Sequence, residues 1–169
     1  MLWRIDVAAR PGHPNAAAAS ARSALREAGA SVERVDAVQV ILVEGDFDEA
    51  DAKRIAEELI VDPVVETGSV RSAALPPKAQ GRVITVFKKP GVMDPVEASA
   101  KKTIRDLGLA ASAVRCGVRY EIETQADPLP FAMKALGNEA VDDIRAGDRG
   151  FEELHIGAPR AFEKVTCRL

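Results

Sequence analysis

Two arginines on one predicted strand are the clearest candidates for binding a charged ligand. Arg115 and Arg119 project from the same strand face, on either side of Gly117. A guanidinium can hold a carboxylate or a phosphate through two parallel hydrogen bonds. Arginines in this arrangement also occur on solvated faces and in protein contacts, so the pattern leaves both a ligand site and a protein interface open.

Two turns could present backbone N–H groups to an anion. Pro11-Gly12 and Pro90-Gly91 each follow a predicted strand and precede a predicted helix, and a helix N-terminus favours anions. Neither turn belongs to a glycine-rich phosphate loop. We therefore interpret both as tight strand-to-helix turns.

The remaining reactive side chains lack the neighbours that catalysis or metal binding requires. The serines have no nearby base, and no pair of Cys or His residues has metal-ligand spacing. Cys116 belongs to an apolar strand face, which predicts an inert, buried thiol. The acidic residues from 44 to 51 are more typical of a loop and a first helical turn than of a metal site. The sequence thus predicts no catalytic residue, cofactor or metal in this chain. The side chains to which we assign neither a catalytic nor a metal-binding role are His13, Ser20, Ser99 and His155.

The elements around these residues occur as two similar copies. Arg10-Pro11-Gly12 recurs as Lys89-Pro90-Gly91, and the stretch 25–29 recurs as 104–108. Both matches have one offset of 79 residues (position 10 to position 89), without a gap. A repeat of this length is too long for a solenoid unit and suits a small α/β module.

Each copy reads as strand, helix, strand, helix and strand. Alternating apolar residues predict a half-buried strand at 3–7, with Arg4 and Asp6 on its polar side. The same alternation predicts a strand at 114–123, with Arg115, Gly117 and Arg119 on its wet face. The other predicted strands are 32–44, 64–67, 83–88 and 140–145, and the predicted helices are 16–28, 48–59, 95–107 and 130–136.

Helical periodicity predicts which faces of the two longer helices are buried. Asn15 and Asp94 are the expected N-caps of these helices. The expected inward residues are Ala17, Ala21, Ala24, Leu25 and Ala28 in the first copy and Val96, Ala100, Thr103, Ile104 and Leu107 in the second.

We therefore expect an α+β fold made of two tandem βαβαβ modules of the ferredoxin-like type. The modules span 1–71 and 82–147, with a linker at 72–81 and a tail at 148–169. A single copy of about 75 residues has a thin core and exposed sheet edges. The two copies are thus expected to form a pseudo-twofold antiparallel-sheet assembly, with helices packed on the sheets.

Composition narrows the classes of function. The 169 residues are 47% hydrophobic and 29% charged, with a net charge of −3, which predicts a folded protein without an electrostatic affinity for nucleic acid or anionic membranes. No apolar run approaches the roughly 20 residues of a membrane span. The start of the chain reads as a strand and not as a signal peptide, so we expect a cytoplasmic protein in which Cys116 and Cys167 are reduced.

Several segments of the second copy resemble the PurS family, the small subunit of phosphoribosylformylglycinamidine synthase. The family signature is a strand ending in K-P-G-V-x-D-P, a helix, L-G, and V-R-x-G on the next strand. The first copy departs from this motif at His13-Pro14-Asn15 and at Asp36-Ala37-Val38. The matching segments are Lys88-Lys89-Pro90-Gly91-Val92-Met93-Asp94-Pro95, Leu107-Gly108 and Val114-Arg115-Cys116-Gly117.

Two further segments carry the same resemblance. Leu59-Ile60-Val61-Asp62-Pro63-Val64-Val65-Glu66 is similar to the family's L-x-N-P-V-I-E, and the second copy keeps a changed form, Asn138-Glu139-Ala140-Val141-Asp142. The segment from Leu154 to Phe162 resembles the lead-in to the synthetase portion in fused PurS–PurL proteins. The chain thus resembles the amino-terminal region of such a fused protein.

The resemblance implies a non-catalytic role in purine biosynthesis. The family's enzyme converts formylglycinamide ribonucleotide to the amidine, and its partner subunits use the ATP, magnesium and glutamine. The implied partners are a PurL-type synthetase and a PurQ-type glutaminase, and a further homodimer is possible. The implied interface residues are Lys89, Pro90, Gly91, Asp94, Arg115, Gly117 and Arg119.

The residues alone leave two other classes of function open. A doublet of ferredoxin-like modules could be a regulatory unit that binds a small molecule between its copies. It could also be a free-standing enzyme, although no residue pattern favours that interpretation.

Overall fold

The chain forms six strands and four α-helices within the residues that the structure describes. The structure is a computed structural model and describes residues 1–75, 81–148, 150, 151 and 154. A short π-helix, Ala56–Ile60, directly follows the second α-helix. The elements are β1 (Leu2–Ala9), α1 (Ala16–Glu27), β2 (Arg34–Gly45), α2 (Glu49–Ile55), β3 (Glu66–Ser72), β4 (Arg82–Lys88), α3 (Pro95–Asp106), β5 (Ala111–Glu123), α4 (Leu129–Ala135) and β6 (Asp142–Ala146).

All six strands belong to one open antiparallel sheet in the order β3-β1-β2-β5-β4-β6. The first three strands form one half of the sheet and the last three form the other. The halves meet where β2 pairs with β5, from Arg34 opposite Glu123 to Gly45 opposite Ala111. The α+β class and the antiparallel sheet are as expected from the sequence.

The predicted elements are present, with shifted boundaries at several strands. β2 begins at Arg34 and not at 32, β5 begins at Ala111 and not at 114, and β3 extends to Ser72, the first residue of the predicted linker. β3 begins at Glu66 and β6 at Asp142, each two residues later than predicted. The reason is a turn before each strand, in which the Glu66 N–H donates to the Asp62 carbonyl at 2.8 Å and the Asp142 N–H donates to the Asn138 carbonyl at 2.7 Å. The chain must complete this turn before it can pair with its neighbouring strand.

Helices α1 and α3 lie over the central strands of their own halves, β2 and β5, and each also contributes to a hydrophobic cluster with the other half of the sheet. Leu25 of α1 shares a cluster with Ile84 and Ile122 of the second half. Ile104 of α3 shares a cluster with Trp3 and other residues of the first half. Each half therefore depends on the other for part of its core. No helix of the described residues is long and apolar enough to cross a membrane.

Three of the predicted inward residues are exposed. Ala17, Val96 and Thr103 lie at the surface, whereas Leu25 and Ile104 are fully buried as predicted. Ala17 and Val96 are in the first turns of their helices, where the helix layer opens into a groove. The periodicity is therefore correct for Leu25 and Ile104 and wrong for the first turns, and it is also wrong for Thr103, which is exposed on the third turn of α3.

The second face of the sheet carries no helix among the described residues, yet its centre is buried. Val40 and Leu42 are fully buried there, in a cluster with Ala73 and the partly buried Phe151. The Phe151 N–H donates to the Ala73 carbonyl at 2.7 Å, so the segments after β3 and after β6 meet over this face.

Buried charges on this face correct the prediction of a wet strand surface. Arg4 is 1% exposed and Arg119 is 4% exposed. The two terminal nitrogens of the Arg4 guanidinium donate to Asp148, at 2.6 and 2.7 Å, and its Nε donates to Asp6 at 2.7 Å. The Nε of Arg119 lies 3.1 Å from Asp148 in an ion pair without a hydrogen bond. These charges are tolerated because each has an opposite charge within contact distance.

Candidate functional site

A groove opens at the centre of the helix-covered face, where the helix layer parts. Its volume is about 630 Å³. The floor is formed by β2 and β5, including Gln39 and Val118, and the first turns of α1 and α3 flank it. Glu66 and Asp142 also line the groove. Clefts of this size commonly bind small molecules or partner segments.

Gln39 is the polar group at the middle of the groove floor. It pairs with Val118 across the junction of β2 and β5, and it is exposed although it faces the helix side of a central strand. A primary amide can both donate and accept hydrogen bonds. Gln39 is therefore available to an occupant of the groove.

Two turns of the same construction hold the outer strands beside the groove. The Arg10 N–H donates to the Val65 carbonyl at 2.9 Å, and the Lys89 N–H donates to the Val141 carbonyl at 2.9 Å. Gly12 and Gly91 have φ values of 86° and 84°, which glycine adopts readily. The prediction of tight strand-to-helix turns is thus confirmed.

The side chains of Glu66 and Asp142 cap the turns that precede their strands. The Asp62 N–H donates to Glu66 Oε2 at 2.9 Å, and the Asn138 N–H donates to Asp142 Oδ2 at 2.8 Å. Lys88 Nζ also donates to Asp142, at 2.6 Å. Burial raises the pKa of Asp142, but the Asn138 N–H and Lys88 outweigh it, so the pKa lies below its ordinary value.

The N-caps of α1 and α3 are the predicted residues. Asn15 accepts the Ala18 N–H at 3.0 Å and donates its Nδ2 to the Ala37 carbonyl at 2.8 Å. Asp94 accepts the Val96 N–H at 2.8 Å. Both caps line the groove, so the first turns of both helices are fixed at its edge.

A partly buried polar contact joins α3 to β5 at one side of the groove. Glu97 Oε1 accepts the Cys116 N–H at 3.1 Å and lies 3.2 Å from Arg115 Nε. Arg115 also donates to the Lys88 carbonyl. The pKa of Glu97 lies above its ordinary value, because burial outweighs the lowering effects of the Cys116 N–H and Arg115. Burial, followed by the charges of Glu97 and Asp94, raises the pKa of Cys116 to about 12.

The structure separates the interface residues that the sequence suggested. Lys89, Pro90 and Gly91 are exposed in the turn between β4 and α3. Arg119 lies on the second face of the sheet, beneath Asp148. Gly117 has no room for a Cβ atom, which would lie 2.4 Å from the Phe87 ring. Only Gly117 and Asp94 of the seven suggested residues line the groove.

Other reactive residues lie where the sequence predicted. Cys116 is buried, and Ser20, Ser99 and His13 are at the surface. Asp48 caps α2 in a capping box with Asp51, as expected for the acidic segment. No group of three or more metal-ligating side chains occurs in the described part of the chain, and the predictions for His155 and Cys167 fall outside it.

Sequence reasoning missed three residues that matter here. Gln39 is the polar residue within the apolar run 38–43, which was a usable signal. The sequence places Glu97 to close a capping box with Asp94, but its side chain accepts the Cys116 N–H instead, a contact that becomes clear only once α3 is placed on β5. Asp148 carried no signal, because its role depends on the path of the chain across the sheet.

No protein-family model matches the chain, and a search of curated proteins finds no match.

Proposed function

We propose that this chain is a tandem pair of PurS-like modules that acts as a non-catalytic subunit or domain of phosphoribosylformylglycinamidine synthase. It bridges a PurQ-type glutaminase and a PurL-type synthetase in the cytoplasm. The proposal rests on the K-P-G-V-x-D-P, L-G and V-R-x-G segments of the second copy, and on the way in which the two copies pair.

The observation that supports it most strongly is the register of β2 and β5. Gln39 pairs with Val118, which is its own counterpart at the repeat offset. At the repeat offset, Asp36 corresponds to Arg115 and Glu121 corresponds to Leu42. Asp36 pairs with Glu121, and Arg115 likewise pairs with Leu42. The pairing is therefore unchanged by exchange of the copies, as expected of a pseudo-twofold dimer within one chain.

The other registers and turns agree with this internal symmetry. The pairing of β1 with β2 repeats in β4 with β5, since Val7 lies opposite Gln39 and Val86 lies opposite Val118. The capped turns at Asp62 and Asn138 have the same hydrogen bonds. β6 begins three residues earlier than the repeat offset predicts from the start of β3. The segment between β5 and β6 is also shorter than the segment between β2 and β3.

A subunit of this kind contributes to the reaction by positioning. The glutaminase releases ammonia from glutamine, and the synthetase uses it with ATP to form the amidine. Holding the two partners together raises the local concentration of ammonia at the second site. The ATP, magnesium and glutamine are bound by the partners and not by this chain.

A binding experiment with purified partners tests the proposal. The chain is mixed with a PurL-type synthetase and a PurQ-type glutaminase, with glutamine and an ATP analogue present, and complexes are measured by sedimentation velocity. We expect one complex that contains all three proteins. If the chain sediments alone under all these conditions, the proposal is wrong.

Lys89→Ala tests the motif turn within the same experiment. Lys89 is exposed and its Nζ donates to the Glu139 carbonyl, so its loss should leave the fold intact. We expect weaker binding with an unchanged melting temperature. Arg10→Ala is the matched control at the equivalent turn of the first copy, where the motif is not kept, and we expect it to bind normally.

The groove favours a second candidate, a regulatory unit that binds a small molecule. Its volume of about 630 Å³ and the exposed amide of Gln39 suit a ligand site. A metabolite that binds there would raise the melting temperature in a saturable manner. A Gln39→Ala variant would reduce that shift, whereas a non-saturable response would exclude this candidate.

A further inference from the structure

We infer that the central groove docks a partner-protein segment whose apolar side chains are flanked by Lys or Arg. The inference rests on the proposed assembly function, because it names the surface that this function would use. Two independent features of the groove support it. Several exposed apolar side chains lie around it, and two of its acidic side chains have no ion-pair partner among the described residues.

Exposed apolar side chains are concentrated around this groove. Val65 and Val96 line it, and Val64 and Met93 stand one and three residues before them in the sequence. Met93 is 88% exposed and Val96 is 51% exposed. Single exposed apolar residues are ordinary, but several around one concave surface indicate an interaction site. The other large exposed apolar residues of the described chain are Met1, Leu75 and Met133.

The charges that line the groove are mainly acidic. Lys88 is neutralised by Asp142 at 2.6 Å. Glu66 and Asp94 accept backbone N–H groups, and neither forms an ion pair within the described residues. Their negative charge is therefore free to attract a cationic side chain of an occupant, which steers association and fixes its register.

The two helix walls of the groove differ in apolar side chains, although Val64 and Val65 of the first copy also contribute to its rim. Met93 and Val96 of the second copy stand where the first copy has Pro14 and Ala17. The larger side chains offer more apolar area on the α3 side, so a segment is held more firmly against that wall. A groove that lies on an internal twofold axis is thereby made asymmetric, and we expect one partner segment for each chain in a single orientation.

The test measures the affinity of the intact chain for the purified synthetase and, separately, for the purified glutaminase. Val96→Lys places a cation in the groove, which repels a basic segment and removes apolar contact. We expect at least about tenfold weaker binding to one partner. Leu75→Lys is the matched control, since Leu75 is 69% exposed and does not line the groove, and we expect an affinity within about twofold of the unmodified chain.

Salt dependence gives a second readout. Raising the salt concentration from about 0.05 M to about 0.5 M screens the acidic groove, so binding of the unmodified chain should weaken. If Val96→Lys lowers the melting temperature, Ala17→Lys and Val65→Lys replace it, because both positions are exposed and line the groove.

The outcomes separate this inference from the proposed function. If the unmodified chain binds and only the groove variants bind weakly, both stand. If the unmodified chain binds and the groove variants bind as well as Leu75→Lys, the docking site is elsewhere and the inference is overturned, while the assembly function stands. If the unmodified chain binds neither partner, the proposed function fails and the inference fails with it.

Discussion

At the level of single residues, the Glu97 side chain supplies a hydrogen-bond acceptor that β4 does not offer to the Cys116 N–H. The last pair between β4 and β5 is Phe87 with Gly117, so the next N–H, that of Cys116, has no partner on β4. It donates to Glu97 instead. A buried N–H without an acceptor is costly, which explains why an acidic residue stands on a largely apolar helix face.

Replacing Glu97 separates its hydrogen bond from its charge. Glu97→Gln keeps an oxygen acceptor for the Cys116 N–H, so we expect little change in the free energy of unfolding. Glu97→Ala removes the acceptor and should lower this free energy by about 1–2 kcal/mol. Chemical denaturation of both variants at pH 7 measures the difference, and equal stability of the two variants would show that the hydrogen bond contributes nothing.

The pH dependence of the same pair has a definite sign. The pKa of Glu97 is raised in the folded state, mainly by burial, so folding favours the protonated form. The unmodified chain should therefore gain stability relative to Glu97→Gln as the pH falls from 7 toward the unfolded-state pKa of about 4.3. A relative stability that stays constant or falls over this range would contradict the assignment.

Asp148 is the residue on which the buried charges of the second face depend. Asp148→Ala leaves Arg4 and Arg119 without their shared carboxylate, and we expect a loss of about 3–5 kcal/mol in the free energy of unfolding. The control is Asp36→Ala, whose ion pair with Arg34 is exposed and should contribute under about 1 kcal/mol. Similar losses for the two variants would contradict this account.

At the level of elements, the capped turns fix the outer strands to the rest of the sheet. Asp142 binds both the Asn138 N–H and Lys88, and thereby joins the turn, β6 and β4. Glu66 caps the equivalent turn before β3, and no lysine of the described residues pairs with it. The second copy therefore holds its outer strand with one more charge interaction than the first.

Asp142→Asn tests this attachment through pH. The pKa of Asp142 is lowered in the folded state because the Asn138 N–H and Lys88 outweigh burial. Its ionised form therefore stabilises the fold above the unfolded-state pKa of about 3.9, and this stability is lost as the pH falls through the lower folded-state value. Denaturation curves of the variant and the unmodified chain should converge in acid, and a gap that stays constant down to pH 2 would contradict this.

Element types could be predicted from the sequence, whereas the burial of individual faces could not. The alternation around Arg4 and Arg119 is that of a half-buried strand, and only the path of residues 147–151 across the sheet explains why these arginines are buried. Val96 matched the helical period, but the opening of the helix layer at the groove left it exposed. Periodicity reports local geometry, and both differences come from contacts distant in sequence.

At the level of the whole molecule, the two halves are interlocked. α1 shares a hydrophobic cluster with the second half and α3 shares one with the first, and the central pairing of β2 with β5 joins the halves. Neither half has a complete core of its own. This arrangement holds the two walls of the groove in a fixed relation.

Residues 1–75 expressed alone test the interlocking. Without the second half, Leu25 loses Ile84 and Ile122, and β2 becomes an exposed edge. We expect a chain that is largely unfolded or self-associated, measured by calorimetry together with sedimentation equilibrium. A monomer with a sharp, cooperative thermal transition would show that the first half folds independently.

The most direct test of the positioning role compares two sources of nitrogen for the synthetase. Amidine formation is measured in a mixture of synthetase and glutaminase, with and without this chain, and with either glutamine or free ammonia as the donor. Because the chain is proposed to couple two active sites, it should raise the glutamine-dependent rate and leave the ammonia-dependent rate unchanged. An equal effect on both rates, or no effect on either, would contradict the account.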